Sequence, residues 1–252
     1  FQAEVVRAYH EQEIGPLPKL GQGRLMLSPY AERELFTRMV PDFQADFMGQ
    51  RLAQWGNLNI LDGVAKVNGA ATLMTSEARD LEVALYVGTN YTNDAMMNFL
   101  GVRHVTRTNG ILKWAGRTGA QPLFTAGQEV IGTDFDFTNL DWDPSRVVFQ
   151  SGKNQAPDPG AMVENVKYSA GQIEFNVRAG QPTVVVVAES WDPSWKAEVN
   201  GSAAVVEKAN HAFMLVNVPA GENKVRMYFF DSSFSKGRIL TGLTMLVCLV
   251  LW

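Results

Sequence analysis

A chain of 252 residues that is 46% apolar, 19% charged and 10% aromatic is too apolar and too weakly charged to be disordered. With 26 acidic against 22 basic residues and a formal net charge of −4, it offers no global electrostatic ground for nucleic acid as a partner. One cysteine, Cys248, excludes an internal disulfide framework or a thiolate-built metal centre within the chain.

In chain order, residues 1–12 have helical composition and stop before the breaker cluster Gly15-Pro16-Leu17-Pro18. Gly23–Ser28 reads as a short strand, with Pro29 placed to open a helix over Tyr30–Val40. Further helices are expected over Ala45–Trp55, Thr75–Val87 and Thr92–Leu100, the last with Thr92 as its N-cap and Gly101 as its stop. Val102–Arg107 and Ile111–Arg117 read as two strands around Thr108-Asn109-Gly110, where Asn-Gly is a hairpin signal. Residues 1–150 thus form an α+β domain, and the Pro- and Gly-rich segment 151–160 reads as a linker.

Residues 161–234 read as strand throughout. In Gln172–Arg178 the apolar Ile173, Phe175 and Val177 alternate with polar neighbours, whereas Thr183–Ala188 is a β-branched run suited to a strand covered on both faces. With Met162–Tyr168, Trp195–Val199, Ala203–Lys208, Phe213–Val218 and Lys224–Phe230, about seven turn-punctuated strands predict an antiparallel β-sandwich of jelly-roll or Ig-like type. From Ile239 to Trp252 no charge occurs. The expectation over 235–252 is the start of a transmembrane helix cut by the chain end, with Ile239, Leu243, Leu246, Leu249 and Trp252 as its anchor residues; the alternative for so short a run is a buried terminal helix. Lys236 and Arg238 before it lean towards a cytoplasmic placement of that end by the positive-inside rule, although folded domains translocate largely regardless of such charges. Phe1 is not an initiator methionine and no signal-peptide pattern follows it, so the sequence reads as a piece of a longer product or a processed one.

Few motifs in the sequence carry chemistry. Gly21-Gln22-Gly23 lacks the third glycine and the strand–helix context of a dinucleotide site. His10-Glu11 opens a zinc pattern that Ile14 breaks. Asp134, Asp136, Asp141 and Asp143 form an acidic cluster with the wrong residues for an EF-hand, leaving an irregular calcium site or a solvated turn with Phe135, Phe137 and Trp142 beneath it. Asn90-Tyr91-Thr92 and Asn200-Gly201-Ser202 match the glycosylation sequon but read better as a cap and a turn. Trp191 and Trp195 flank Asp192-Pro193-Ser194; either they stack on a carbohydrate ring, or Trp195 joins the core in register with Ala197 and Val199 and Trp191 remains exposed. No catalytic, metal-ligating or cofactor-binding set is named by these residues.

The run Glu189–Gly201, then Ala209-Asn210-His211-Ala212-Phe213 and Val218-Pro219-Ala220-Gly221, resembles the C-terminal extracytoplasmic region of YfhO-like bacterial membrane proteins. There an aromatic-Pro-Gly-Trp-Lys-Ala strand and an Asp/Asn-Gly turn precede an Ala-Asn step, a Val-Pro-Ala-Gly turn and a membrane helix. Residues 57–69, 98–105 and 141–150 are similar to earlier segments of the same family, in the same order. This chain departs from that pattern at Trp191-Asp192, where paired tyrosines are common, and at Ser194 in place of Gly.

The resemblance implies a polytopic protein related to GT-C glycosyltransferases, which use lipid-linked sugars on the outer face of the membrane. The catalytic carboxylates of that class lie near early membrane helices that have no counterpart here, so no catalytic residue is carried over. It implies a cell-membrane location with the bulk of the chain on the periplasmic side. The expected partners are membrane lipid, other membrane proteins or membrane helices of the same protein, and a glycan or lipid-linked sugar. Trp191, Trp195 and Asn210 are the candidate contact residues. The alternatives are a non-catalytic structural or accessory subunit of a membrane assembly, and a carbohydrate-binding module built on Trp191.

Overall fold

The computed structural model describes residues 3–69, 74–87, 93–136 and 141–251. The expected Thr92 cap, the sequon at Asn90, the Phe137 ring and the anchor Trp252 lie outside these residues.

The first half is a helical lobe around a small sheet. Helix α1 (Ala3–Glu13) precedes strand β1 (Arg24–Met26), whose three residues are all buried. Ser28 then caps α2 (Pro29–Thr37), accepting from the Ala31 N–H with Pro29 at the first helical position. Asp42 caps α3 (Phe43–Leu52), and a 3-10 turn follows at Leu58–Asp62. Thr75 caps α4 (Ser76–Tyr86), and Asn93 caps α5 (Asp94–Phe99). Strand β2 (Val102–Thr106) pairs parallel to β1 and antiparallel to β3 (Trp114–Gly116), closing a three-stranded sheet. The Asn109-Gly110 pair therefore sits within a seven-residue connection, residues 107–113, between the two strands. Three short strands complete this half: β4 (Phe124–Ala126), β5 (Glu129–Ile131) and β6 (Val147–Phe149), the last two paired parallel.

The second half is a sandwich of β7 (Met162–Ser169), β8 (Gln172–Ala179), β9 (Thr183–Ser190), β10 (Trp195–Val199), β11 (Ser202–Ala204), β12 (Val206–Ala209), β13 (Phe213–Val218) and β14 (Gly221–Phe229). One sheet has the order β11-β10-β14-β8-β7 and the other β12-β13-β9-β4. The alternation in β8 does what it predicts: Ile173, Phe175 and Val177 are buried. In β9 six consecutive residues from Thr183 are buried, as a doubly covered strand requires. Asn200 and Gly201, both at positive φ, make the tight turn between β10 and β11.

Two features depart from the sequence pattern. The expected single strand Ala203–Lys208 divides at the exposed Val205, with β11 pairing to β10 in one sheet and β12 to β13 in the other. The second sheet takes its edge strand, β4, from before residue 150, through Phe124↔Val187 to Ala126↔Val185. Accordingly one continuous apolar cluster contains Met96, Phe99 and Trp142 together with Phe175, Val186 and Met227. Helix α6 (Ser232–Leu251) ends the described chain. It begins seven residues before the uncharged run, because the Asp231 carboxylate accepts from the N–H groups of Ser233 and Phe234.

Candidate functional site

Strand register assigns every loop of the sandwich to one of two ends. Tyr228 opposes Gln172, Phe213 opposes Ser190, and Ala209 opposes Phe213. The β7–β8 turn, the 191–194 loop, the Asn210–Ala212 turn and the start of α6 therefore share one end. The turns at Asn200-Gly201 and Pro219-Ala220 lie at the other.

The helical lobe docks on the end from which α6 leaves. Arg24 of β1 is buried there and donates to Leu100 O at 2.9 Å, Ala188 O at 2.6 Å and the Glu189 carboxylate at 2.8 Å. Phe99 of α5 packs edge-on against Phe213 with ring centroids 4.7 Å apart. Helix α4 is tied to the β12–β13 hairpin by two pairs, Lys208 with Glu77 and His211 Nε2 with Asp80 Oδ2 at 3.0 Å. The Lys208 ammonium beside it holds Glu77 down at about 2. On the other flank Gly21, at φ +81°, lies so close to Tyr168 that a Cβ would come within 2.8 Å of the tyrosine Cβ. Burial, and then the neighbouring Glu189 carboxylate, push the Tyr168 hydroxyl up to about 12.

A cleft of about 930 Å³ runs along this flank, between the loop Pro16–Gln22 and the two open sandwich edges β4 and β7. Leu20, Phe124, Val166 and Tyr168 supply its apolar and aromatic wall. The charged residues that line it, Lys19 and Arg103, are both basic. The Arg103 Nε donates to Gln22 O at 3.2 Å, which leaves the rest of its guanidinium fork for other acceptors.

The residues singled out by sequence occupy the same end. Asn210 is buried at φ +45°; its N–H donates to Phe149 O and its Oδ1 accepts from Phe149 N, so it ties the β12–β13 turn to β6. Trp191 is half-buried, its Nε1 donating to Val206 O at 3.1 Å, and the Lys208 ammonium lies 4.6 Å from its ring centroid. Trp195 sets its ring edge-on against Phe229. Ile239, Leu243, Leu246 and Leu249 are exposed along α6. In the acidic cluster, Asp143 closes a local turn by accepting from the Ser145 N–H and hydroxyl, while Phe135 packs on the buried Trp142. Among the described residues no group of three or more His, Cys, Asp or Glu side chains is arranged to hold a metal ion. Arg24, Tyr168, Lys19 and Arg103 were not singled out by sequence. The one signal was Arg24 itself, a charge inside the apolar strand pattern GRLMLS.

Helix α6 spans 20 residues, about 30 Å, and is long and apolar enough to cross a membrane; none of its candidate span is buried against the rest of the chain. Residues 149–241, from the end of β6 into α6, match the family model described as "Bacterial membrane protein YfhO". No curated protein and no solved structure matches the chain. The family match and the exposed apolar helix together associate the chain with a membrane.

Proposed function

We propose that this chain, a YfhO-like bacterial membrane protein by its residues 149–241, is a membrane-tethered extracytoplasmic region that supports transfer of a sugar from a lipid-linked donor. The observation that carries the reading is the cleft on the docking flank, whose charged lining is wholly basic and whose wall otherwise combines apolar and aromatic residues with the neutral polar Gln22, Gln121, Thr125 and Ser145. Lys19 and Arg103 suit the phosphate of a polyprenyl-phosphate sugar, and the half-buried Tyr168 suits the apolar face of a sugar ring. Tethering by α6 keeps such a donor, itself held in the bilayer by its tail, close to the cleft. The sugar-transfer half of the reading draws on the family resemblance.

Direct binding of a polyprenyl-phosphate sugar to the full-length protein in lipid nanodiscs tests this. Binding is expected, and Lys19→Gln with Arg103→Gln should weaken it by about tenfold or more, the loss that follows from removing charge-assisted hydrogen bonds. Absence of binding to the full-length protein overturns it.

A second reading, a non-catalytic accessory part of a membrane assembly, draws on helix α6, whose candidate span buries nothing against the described chain and so presents an apolar surface to other membrane helices. That reading expects stoichiometric co-purification with other membrane proteins and no donor binding.

A further inference from the structure

The junction between the sandwich and α6 is aromatic first, basic next and apolar last. Phe229, the last residue of β14, and Phe230 after it are 47% and 50% exposed, and Phe234 in the first turn of α6 is 70% exposed. Trp195 packs edge-on against Phe229 at 5.7 Å between centroids, and the Phe230 N–H donates to Ser194 O at 2.8 Å. The 191–194 loop and the junction therefore form one surface. Asp231 is the acid nearest in sequence, and its carboxylate caps α6, where the helix dipole favours it. Lys236 and Arg238 follow, both exposed, and then the uncharged run from Ile239.

Three exposed phenylalanines within six residues are unfavourable in water. At a bilayer–water boundary the same rings are favoured, and Lys and Arg extend their stems along the apolar layer to reach the headgroups. We propose that this junction is an interfacial collar for anionic lipid: Phe230 and Phe234 lie at headgroup depth, and Lys236 and Arg238 pair with headgroup phosphates. Lipid is the occupant because the surface is covalently continuous with the apolar helix, and because Lys236 and Arg238, next to the apolar run, can reach outward to the same headgroup level as the exposed Phe rings one to two helical turns before them. The collar is independent of donor binding and of the sugar reading. It fixes how closely the docking end of the sandwich approaches the bilayer.

The test uses the full chain in phosphatidylcholine vesicles with and without phosphatidylglycerol. Cys248→Ser removes the one cysteine of the sequence, and Phe230→Cys, Phe234→Cys or Ser202→Cys then carries a single nitroxide. Ser202 lies at the opposite end of the sandwich and is exposed. Nitroxides at 230 and 234 are expected to collide with oxygen in preference to a water-soluble nickel chelate, by a ratio severalfold above that at 202. The ratio should rise further with phosphatidylglycerol, and Lys236→Gln with Arg238→Gln should abolish that rise. Ratios at 230 and 234 equal to that at 202 overturn the collar. A rise that survives the double substitution overturns the assignment of the headgroup phosphates to Lys236 and Arg238.

Discussion

Arg24 and Glu189 stand 165 residues apart in sequence, yet their side chains meet at 2.8 Å. The same guanidinium takes two backbone carbonyls, Leu100 O in the lobe and Ala188 O in the sandwich, so one side chain bonds both bodies at their contact. Replacing it with Met keeps an unbranched apolar stem and removes every donor. Arg24→Met should destabilise the protein by about 3–5 kcal/mol, because it leaves a part-buried carboxylate and two carbonyls without their partner. Urea denaturation checks this, and adding Glu189→Gln should recover part of the loss.

The tie between α4 and β12 should make stability depend on acid. Glu77 ionises at about 2 in the folded chain, against an ordinary value of 4.5, because Lys208 donates to its carboxylate. A depressed folded value means the contribution is fully present above about pH 4.5 and is lost as pH falls towards 2. The pair is solvent-accessible, so the effect is small, below about 1 kcal/mol. The urea midpoint of the parent chain should fall more steeply across that window than that of Glu77→Gln.

Asn210 combines a left-handed backbone with two hydrogen bonds to the Phe149 backbone. Asn210→Ala should lose the side-chain acceptor and suffer at φ +45°, a total of about 2–3 kcal/mol. Asn210→Gly should lose less, since glycine tolerates the backbone and only the Phe149 N–H is left without its acceptor. An equal effect of the two substitutions on thermal stability would contradict this division.

How far the fold is legible depends on where each element's determinants lie. The alternation Ile173, Phe175, Val177 declares the inner face of β8 from its own residues, and Ser28-Pro29 and Thr75 declare helix starts in the same local way. Strand β4 is three residues long, and what makes it a strand is pairing with Val185–Val187, which no local pattern states. The split at Val205 is equally non-local, because it reflects which sheet each neighbour belongs to. The candidate site behaves alike. Trp191 and Asn210 stand out by residue type, but the groups that bond them, Val206 O and the Phe149 backbone, are named only by the fold. Lys19 and Arg103 are ordinary surface residues in sequence and become a pair of cations on one cleft only when the lobe docks.

The segment 151–160 is anchored at both of its sides. Gln155 bridges to Val130, and the buried Asp158 accepts from the N–H groups of Gly180 and Gln181 at 2.7 and 3.2 Å. Gly127, at φ +85°, passes so close that a Cβ would fall 2.0 Å from Asp158 O. Gly127→Ala should therefore cost several kcal/mol, more than Asp158→Asn, which keeps one acceptor oxygen at about 1–2 kcal/mol. Limited proteolysis should cut within 151–160 in Gly127→Ala and spare the parent chain.

In the proposed function the sandwich and its docked lobe lie outside the cytoplasm, tethered by α6. In the Cys248→Ser background, Ser202→Cys places a thiol at the end of the sandwich remote from α6, and the Cys248→Ser parent gives the labelling background from the rest of the full-length protein. Labelling of the full-length protein in intact cells, or in spheroplasts where an outer membrane intervenes, with a membrane-impermeant maleimide should modify that thiol fully. Modification only after the cytoplasmic membrane is broken would place the sandwich in the cytoplasm and contradict the account.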